Sequence, residues 1–142
     1  TAIAVTSLGV ARTMMRKQKT IKNVVMNLRP RYLIVPAALE TIAAQYVSAN
    51  YVANQSSTIN PFAGAFEVIS EARLDDNSAT AWYLAADPSM IDTIEYCYLE
   101  GQNGVYIETR QGFDVDGMEI KARLDFAAKA IDYRGLYKNV GA

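Results

Sequence analysis

Leu8, Ala11, Met15 and Gln18 fall at helical spacing, with Thr6 in position to cap the first turn and Arg12, Arg16, Lys17 and Lys19 loading the other end with positive charge. This pattern predicts a helix from about Ser7 to Lys19. An extended stretch, Tyr32 to Val35, leads into Pro36, whose missing N–H suits a first helical turn. A second helix is expected from Pro36 to Ala49, because Leu39, Ile42, Ala43, Tyr46 and Val47 form an apolar stripe at i, i+3, i+4, i+7 and i+8. From Asn50 to Gly64 the residues turn to Asn, Gln, Ser, Gly and Pro, which reads as a long surface loop with a turn at Asn60-Pro61. Strands are expected at Phe66–Ser70, Trp82–Ala86, Thr93–Leu99 and Val105–Arg110, the last two joined as a hairpin through Gly101-Gln102-Asn103-Gly104.

The C-terminal pattern alternates strictly. Ile120, Ala122, Leu124, Phe126, Ala128 and Ala130 share one parity; Glu119, Lys121, Arg123, Asp125 and Lys129 share the other. In one strand the apolar set would face a core and the charged set water or a neighbour. Such a strand would be about 40 Å long, roughly twice the usual length, so it should reach beyond a small domain. The elements together predict an α+β fold: two main helices packed on a mixed, largely antiparallel sheet, with a long C-terminal strand.

Composition narrows the function. The 142 residues are enough for one domain with a real core. With 14 basic against 15 acidic residues there is no overall basic field for gripping phosphates. Histidine is absent, which removes Ser-His-Asp and Cys-His catalysis and the usual imidazole metal ligands. The single cysteine, Cys97, has no partner for an internal disulfide and, flanked by Tyr96 and Tyr98, reads as buried packing. The uncharged stretch from Thr41 to Phe66 is too rich in Asn, Gln and Ser to span a lipid bilayer, and no signal peptide is evident, so a cytoplasmic setting is expected.

Candidate chemistry is sparse. Asp114-x-Asp116-Gly117 has the outline of a calcium loop, but aligning Gly117 with the loop's glycine puts Gly112 and Arg123 where acidic ligands are required; a turn with positive φ at Gly117 is the better reading. Asp75-Asp76-Asn77-Ser78 reads as a turn. Asp87, Asp92, Glu95 and Glu108 could supply a carboxylate pair, yet no spacing selects one. Gly101-x-x-Gly104 lies between strands, not before a helix, and so lacks the setting of a phosphate cradle. The run from Arg12 to Lys22 reads as a solvated helix end. Nine tyrosines suit a surface half buried against a partner, or a sheet rich in aromatics. No catalytic, cofactor-binding or metal-binding residue is assigned.

Three segments carry a family resemblance: Ala81-Trp82-Tyr83-Leu84-Ala85-Ala86-Asp87-Pro88, Phe113-Asp114-Val115-Asp116-Gly117-Met118-Glu119-Ile120-Lys121, and Asp132-Tyr133-Arg134-Gly135-Leu136-Tyr137-Lys138-Asn139. With Leu33-Ile34-Val35-Pro36-Ala37-Ala38-Leu39-Glu40 and Asn60-Pro61-Phe62 they resemble the C-terminal part of the major head subunit of Mu-type tailed bacteriophages and prophages, which has the Hong Kong 97 type of capsid fold. The resemblance implies an axial-domain-like region over residues 1–118. It makes residues 119–142 a return strand toward a peripheral domain, and finds no counterpart here for the family's N-terminal arm, extended loop or spine helix. It implies a structural subunit of a virion capsid, assembled in the bacterial cytoplasm from pentamers and hexamers around DNA. The partners would be copies of itself and other phage head proteins, with no sequence-specific nucleic acid and no membrane. Residues expected at subunit contacts are Asn50, Tyr51, Asn54, Gln55 and Asn60 in the polar loop, where identical copies could meet without charge repulsion, and Lys121, Arg123, Asp125 and Lys129 on the final strand. The alternatives are another phage head–tail or tail structural module, or a small carboxylate-based hydrolase.

Overall fold

The computed structural model describes residues 1–49, 60–112 and 116–142. The elements run α1 (Val5–Arg16), β1 (Pro30–Val35), a 3-10 turn (Ala37–Leu39), α2 (Glu40–Val47), β2 (Glu67–Ser70), a second 3-10 turn (Ala72–Leu74), β3 (Trp82–Ala86), β4 (Ile94–Tyr98), β5 (Tyr106–Gln111), β6 (Met118–Arg123), β7 (Phe126–Ala130) and β8 (Leu136–Asn139). They form two compact units, residues 1–93 with 132–142, and residues 94–131. Among the described residues the architecture is α+β, with two α-helices, a mixed four-stranded sheet and two two-stranded sheets.

In the larger unit the sheet order is β2-β1-β3-β8, with β1 and β2 parallel and the other pairs antiparallel. A parallel pair cannot be closed by a tight turn, and the connection from β1 to β2 carries α2. The two central strands supply much of the core: Leu33 and Val35 from β1, and Trp82 and Leu84 from β3, are wholly buried. Trp82 meets Tyr137 of β8 with ring centroids 5.9 Å apart, and its indole N–H donates to the Thr1 carbonyl oxygen at 3.2 Å, so the largest buried side chain is also satisfied. The ladder between β1 and β3 slips at Pro30/Tyr32, at the start of β1 where proline has no N–H to give.

Helix α1 buries Leu8, Ala11 and Met15, as its periodicity predicts. Its cap differs. The chain enters at Ala4 in place of Thr6, and Ser7, three residues on, reaches back so that its hydroxyl oxygen accepts the Ala4 N–H at 2.9 Å. Helix α2 is shorter than expected because its first turn is 3-10. Ala43 is buried and Leu39, Tyr46 and Val47 pack against the core, whereas Ile42, at the margin of that stripe, is 40% exposed. The start of this helical segment is held from far along the chain: the Asp75 carboxylate accepts the N–H groups of Ala37 at 2.8 Å and Ala38 at 3.4 Å.

The segment expected as a surface loop contributes to the core at its end. Phe62 is fully buried, stacked 5.5 Å from Phe66, and carries the Arg12 guanidinium over its ring at 4.6 Å. Asn60 makes this possible, donating to the carbonyl oxygens of Tyr46 at 2.8 Å and Ser48 at 3.0 Å while accepting the Phe62 N–H at 3.0 Å. Gly135, in the C-terminal motif, admits no Cβ because the methyl groups of Thr93 and Ile91 occupy its place; its carbonyl accepts the Ala86 N–H at 2.8 Å.

In the smaller unit the expected hairpin between β4 and β5 is absent. Strand β4 pairs with β7, and β5 with β6, both antiparallel. The glycines at 101 and 104 have left-handed φ and bend the chain without reversing one strand onto the other; the reversal comes between β5 and β6, where the Gly112 N–H donates to the Gly117 carbonyl at 2.9 Å. Opposite charges at Glu108/Lys121 and Arg110/Glu119 lie directly across from each other in this register, which favours it. The expected long strand is likewise two strands, broken at Leu124 and Asp125, and β8 belongs to the other unit's sheet.

Asp75→Ala should cost about 1 kcal/mol in urea unfolding followed by Trp82 fluorescence, the usual cost of losing a helix cap. Asp87, which accepts the Ser89 N–H and pairs with Arg31 at 2.7 Å, has its pKa lowered from 3.8 to about 2. A carboxylate depressed on folding stabilises the native state above its ordinary pKa and loses that contribution as pH falls through the depressed value. Asp87→Asn should therefore lower the thermal midpoint at pH 6, and the difference from wild type should close between about pH 4 and pH 2; a gap of constant size across that window would contradict it.

Candidate functional site

The four strands of residues 94–131 make two two-stranded sheets, β4 with β7 and β5 with β6, together called the ribbon below, and every residue assigned to these strands is exposed. Its faces follow from register. In the β4/β7 pair, Ile94, Tyr96 and Tyr98 share one face with Ala130, Ala128 and Phe126, and Glu95 and Cys97 share the other with Lys129 and Ala127. The apolar face is aromatic: the Tyr98 and Phe126 rings are 5.5 Å apart, and Tyr96 lies 6.1 Å from each of them. In the β5/β6 pair, Ile107, Ile120, Met118 and Ala122 share a face, opposite a ladder of Tyr106, Glu108, Arg110, Glu119, Lys121 and Arg123.

The alternation read from the sequence is present, but its apolar set does not meet a core. Ile120 is 69% exposed, Phe126 52% and Leu124 53%. Two strands have no third layer to cover them, and an isolated ribbon of this kind is marginal in water. Contiguous exposed apolar side chains mark an interaction surface.

The charged ladder of the β5/β6 pair is matched from within. Glu108 pairs with Lys121 at 3.3 Å, Arg110 with Glu119, and Arg123 with Asp125 at 3.5 Å; Arg123 also donates to Gln102 at 2.8 Å and lies 5.3 Å from the Tyr106 ring. A recess of about 280 Å³ on this ladder is lined by Glu108, Arg110, Glu119, Ile120 and Lys121, all of its ionic groups already paired. Of the residues expected at subunit contacts, Lys121, Arg123, Asp125 and Lys129 thus lie together on the ribbon. Asn60 is engaged in holding the loop end to α2, and Asn50, Tyr51, Asn54 and Gln55 lie outside the described residues.

The remaining candidates disperse. Asp114 lies outside the described residues, Asp116 is exposed, and Gly117 is not among the glycines with positive φ, so the turn there does not depend on left-handed backbone at that residue. Asp75 is a cap, set in the turn expected of it. Among the described residues no group of three His, Cys, Asp or Glu side chains could hold a metal ion. Among the described residues three carboxylates have displaced pKa values and all move down: Asp87 through the Ser89 N–H and Arg31, Asp132 through the Arg134 guanidinium and N–H, and Glu71 through those of Arg73. That is the direction of a structural anion, not of a general acid. Cys97 is exposed on β4, correcting the expectation of burial, because β4 belongs to the ribbon and not to a packed sheet. Among the described residues no helix is long and apolar enough to cross a membrane.

Sequence reasoning missed the exposed apolar faces because alternation states which residues share a side and is silent on what covers it. The only available signal was the chain's density of Tyr, Ile and Phe between 94 and 131, without Pro or a second helix to pack on them.

Neither a curated protein nor a solved structure matches this chain. A family model described as a phage capsid protein matches residues 1–139. With residues 1–139 of its 142 inside that match, the chain belongs to the phage capsid protein family.

Proposed function

We propose that this chain is a region of the major head subunit of a tailed phage or prophage of the Mu type, with the Hong Kong 97 fold, and that its work is self-assembly into the pentamers and hexamers of a DNA-filled head. Its role is structural, and its place is the virion capsid, built in the bacterial cytoplasm. Residues 1–93 with 132–142 would serve as the axial domain. The ribbon, including the segment from Glu119 to Ile131, would lie toward the peripheral domain. Other head proteins are further partners, and neither a membrane nor a specific DNA sequence is needed.

The observation that carries this reading is the exposed apolar face of the ribbon, taken with the capsid-family match. A ribbon that cannot cover itself is stabilised when copies come together, and contact between different patches of identical subunits closes into rings. Lys121, Arg123, Asp125 and Lys129, of the charged set, would make polar contacts with a neighbouring copy. Asn50, Tyr51, Asn54 and Gln55, uncharged, are placed near a symmetry axis.

Ile120→Asp with Phe126→Asp should weaken association at least about tenfold, equivalent to 1.4 kcal/mol, in light scattering across a concentration series. Because both sites are exposed in the single chain, the stability of the larger unit should change by less than about 0.5 kcal/mol. Wild-type chain that stays monomeric throughout the series, with no rings by electron microscopy, would sink the assembly reading.

A further inference from the structure

Strands β4 to β7, and the outer strands β2 and β8 of the larger sheet, each leave one edge that pairs with no strand among the described residues. An open edge is a template for another strand. These edges differ in charge. The charged residue of β2 is Glu67, of β4 Glu95, of β7 Lys129 and of β8 Lys138, and a single charge fixes no register. Strands β5, with Glu108 and Arg110, and β6, with Glu119, Lys121 and Arg123, hold both signs. Neither proline, glycine nor a bulge interrupts β6.

Strand β6 is complementary to itself. Laid antiparallel to a second β6 about a two-fold axis at Ile120, it sets Glu119 against Lys121 of the second copy, and Lys121 against its Glu119. On the other side of the sheet Ile120 meets Ile120, and Met118 meets Ala122. Sliding one copy by two residues brings Lys121 onto Lys121 or Glu119 onto Glu119, and a slide of one residue places charged side chains beside apolar ones. The backbone phase agrees. The Gly112 N–H donates to the Gly117 carbonyl, and the β5/β6 register continues from there without a slip. Glu119 and Lys121 therefore turn their backbone groups toward β5, while Met118, Ile120 and Ala122 turn theirs to the open edge, where the same residues meet as hydrogen-bonded pairs in the self-paired register. Strand β5 can likewise set Glu108 against Arg110 of a second β5, but its axis then falls on Thr109, and Ile107 meets Gln111. On β6 the side chains brought together are apolar, with Ile120 69% and Met118 68% exposed in the single chain.

We propose that β6 pairs antiparallel with β6 of a second copy about a two-fold axis at Ile120, so that two chains make one four-stranded sheet in the order β5-β6-β6-β5. The inference rests on the assembly reading above and adds a contact to it. Within the chain Lys121 already pairs with Glu108, and Glu119 with Arg110, so each row across the joined sheet reads Glu108, Lys121, Glu119, Arg110, with the sign alternating at every step. A carboxylate has two oxygens and an ammonium three donors, so one group serves both neighbours. Exposed pairs of this kind contribute little affinity, and they set the register; the backbone hydrogen bonds and the apolar side of the sheet supply the rest. Two strands are marginal alone, and a sheet of four with one apolar side is not. The contact is isologous and closes at two copies, so it joins one ring to the next, while contacts between unlike patches build the rings themselves.

The test is disulfide trapping in the 142-residue chain after Cys97→Ser removes the native thiol. Ile120→Cys should give a covalent dimer under mild oxidation, because directly opposed residues of a hydrogen-bonded antiparallel pair lie about 5.5 Å apart at Cα, within disulfide reach. Met118→Cys should react with itself at least about tenfold more slowly, since in this register its own copy lies four residues, roughly 13 Å, along the strand. Glu119→Lys and Lys121→Glu, each added to the Ile120→Cys chain, should slow dimer formation at low salt at least about tenfold, because like charges then face each other. An equal mixture of those two chains should recover to within about threefold of the parent rate, because each supplies the charges the other needs. Comparison of the Ile120→Cys and Met118→Cys chains alters no charge and keeps the test open if a charge variant folds poorly. Equal rates for those two chains, or a mixture that fails to recover, overturns this contact, and assembly stands if light scattering still shows association. A Thr109→Cys chain that reacts faster with the Ile120→Cys chain than either does with itself would place β5 of one copy on β6 of the next and also overturn it. A wild-type chain that never associates in light scattering defeats both this contact and the assembly reading.

Discussion

Two antiparallel strands can satisfy half of each other's backbone groups, but they cannot cover either of their faces. That limit governs residues 94–131, where Tyr96, Tyr98, Phe126, Ile107 and Ile120 stand in water in the single chain. A third strand in either pair, or a helix in the same unit, would remove the difficulty, and neither is present among the described residues of 94–131. The exposed area is therefore a property of the topology, not of a few misplaced side chains. No rearrangement of rotamers can hide it, since side chains on a strand stand roughly perpendicular to the sheet.

The larger unit shows what the ribbon lacks. There α1 and α2 contribute Leu8, Ala11, Met15 and Ala43 to the same buried cluster as Leu33, Val35, Trp82 and Leu84 from the sheet. No buried side-chain polar atom among the described residues is left without a hydrogen-bond partner. Its long-range ties are specific: Asp75 to the turn before α2, Asn60 to the end of α2, Trp82 to the backbone of Thr1. A unit closed in this way can fold on its own contacts and present a separate, unsatisfied surface to other molecules. That division of labour suits a shell subunit, which must be folded before it meets its neighbours.

How much of this was legible in the sequence depended on range. Elements whose cause is local were read well: Leu8, Ala11 and Met15 mark α1, Pro36 marks the entry to the second helical segment, and Trp82 to Ala86 form a strand as expected. Features set by distant residues were not. The turn at Gly101 to Gly104 has the composition of a hairpin, yet pairing is decided by which strands meet, and β4 meets β7, some 30 residues away. Phe62 sits in a polar stretch and is drawn into the core by Arg12 and Phe66 together with the hydrogen bonds of Asn60. Asp75 looked like half of a turn, and it is also a cap for a helix nearly forty residues earlier. The alternation from Glu119 to Ala130 identified the two sides of the ribbon and could not say that neither was covered.

The two sides of the ribbon make different contributions, and magnitudes decide which matters for what. Exposed ion pairs such as Glu108–Lys121 contribute about 0–1 kcal/mol each, because water already solvates both partners and salt screens them. They can hold β5 and β6 in register, but they cannot drive assembly. Burying a Tyr, Phe or Ile side chain contributes on the order of 1.5–3 kcal/mol, so a few residues of the aromatic face outweigh the whole charged ladder. Charge acts instead on orientation: with the charged side chains of each strand pair collected on one side, the other side is the one that can be buried without desolvating ions. Apolar area thus supplies the affinity of such a contact while the charge pattern selects which side is buried, and where the two buried patches are unlike, the contact can build a closed ring.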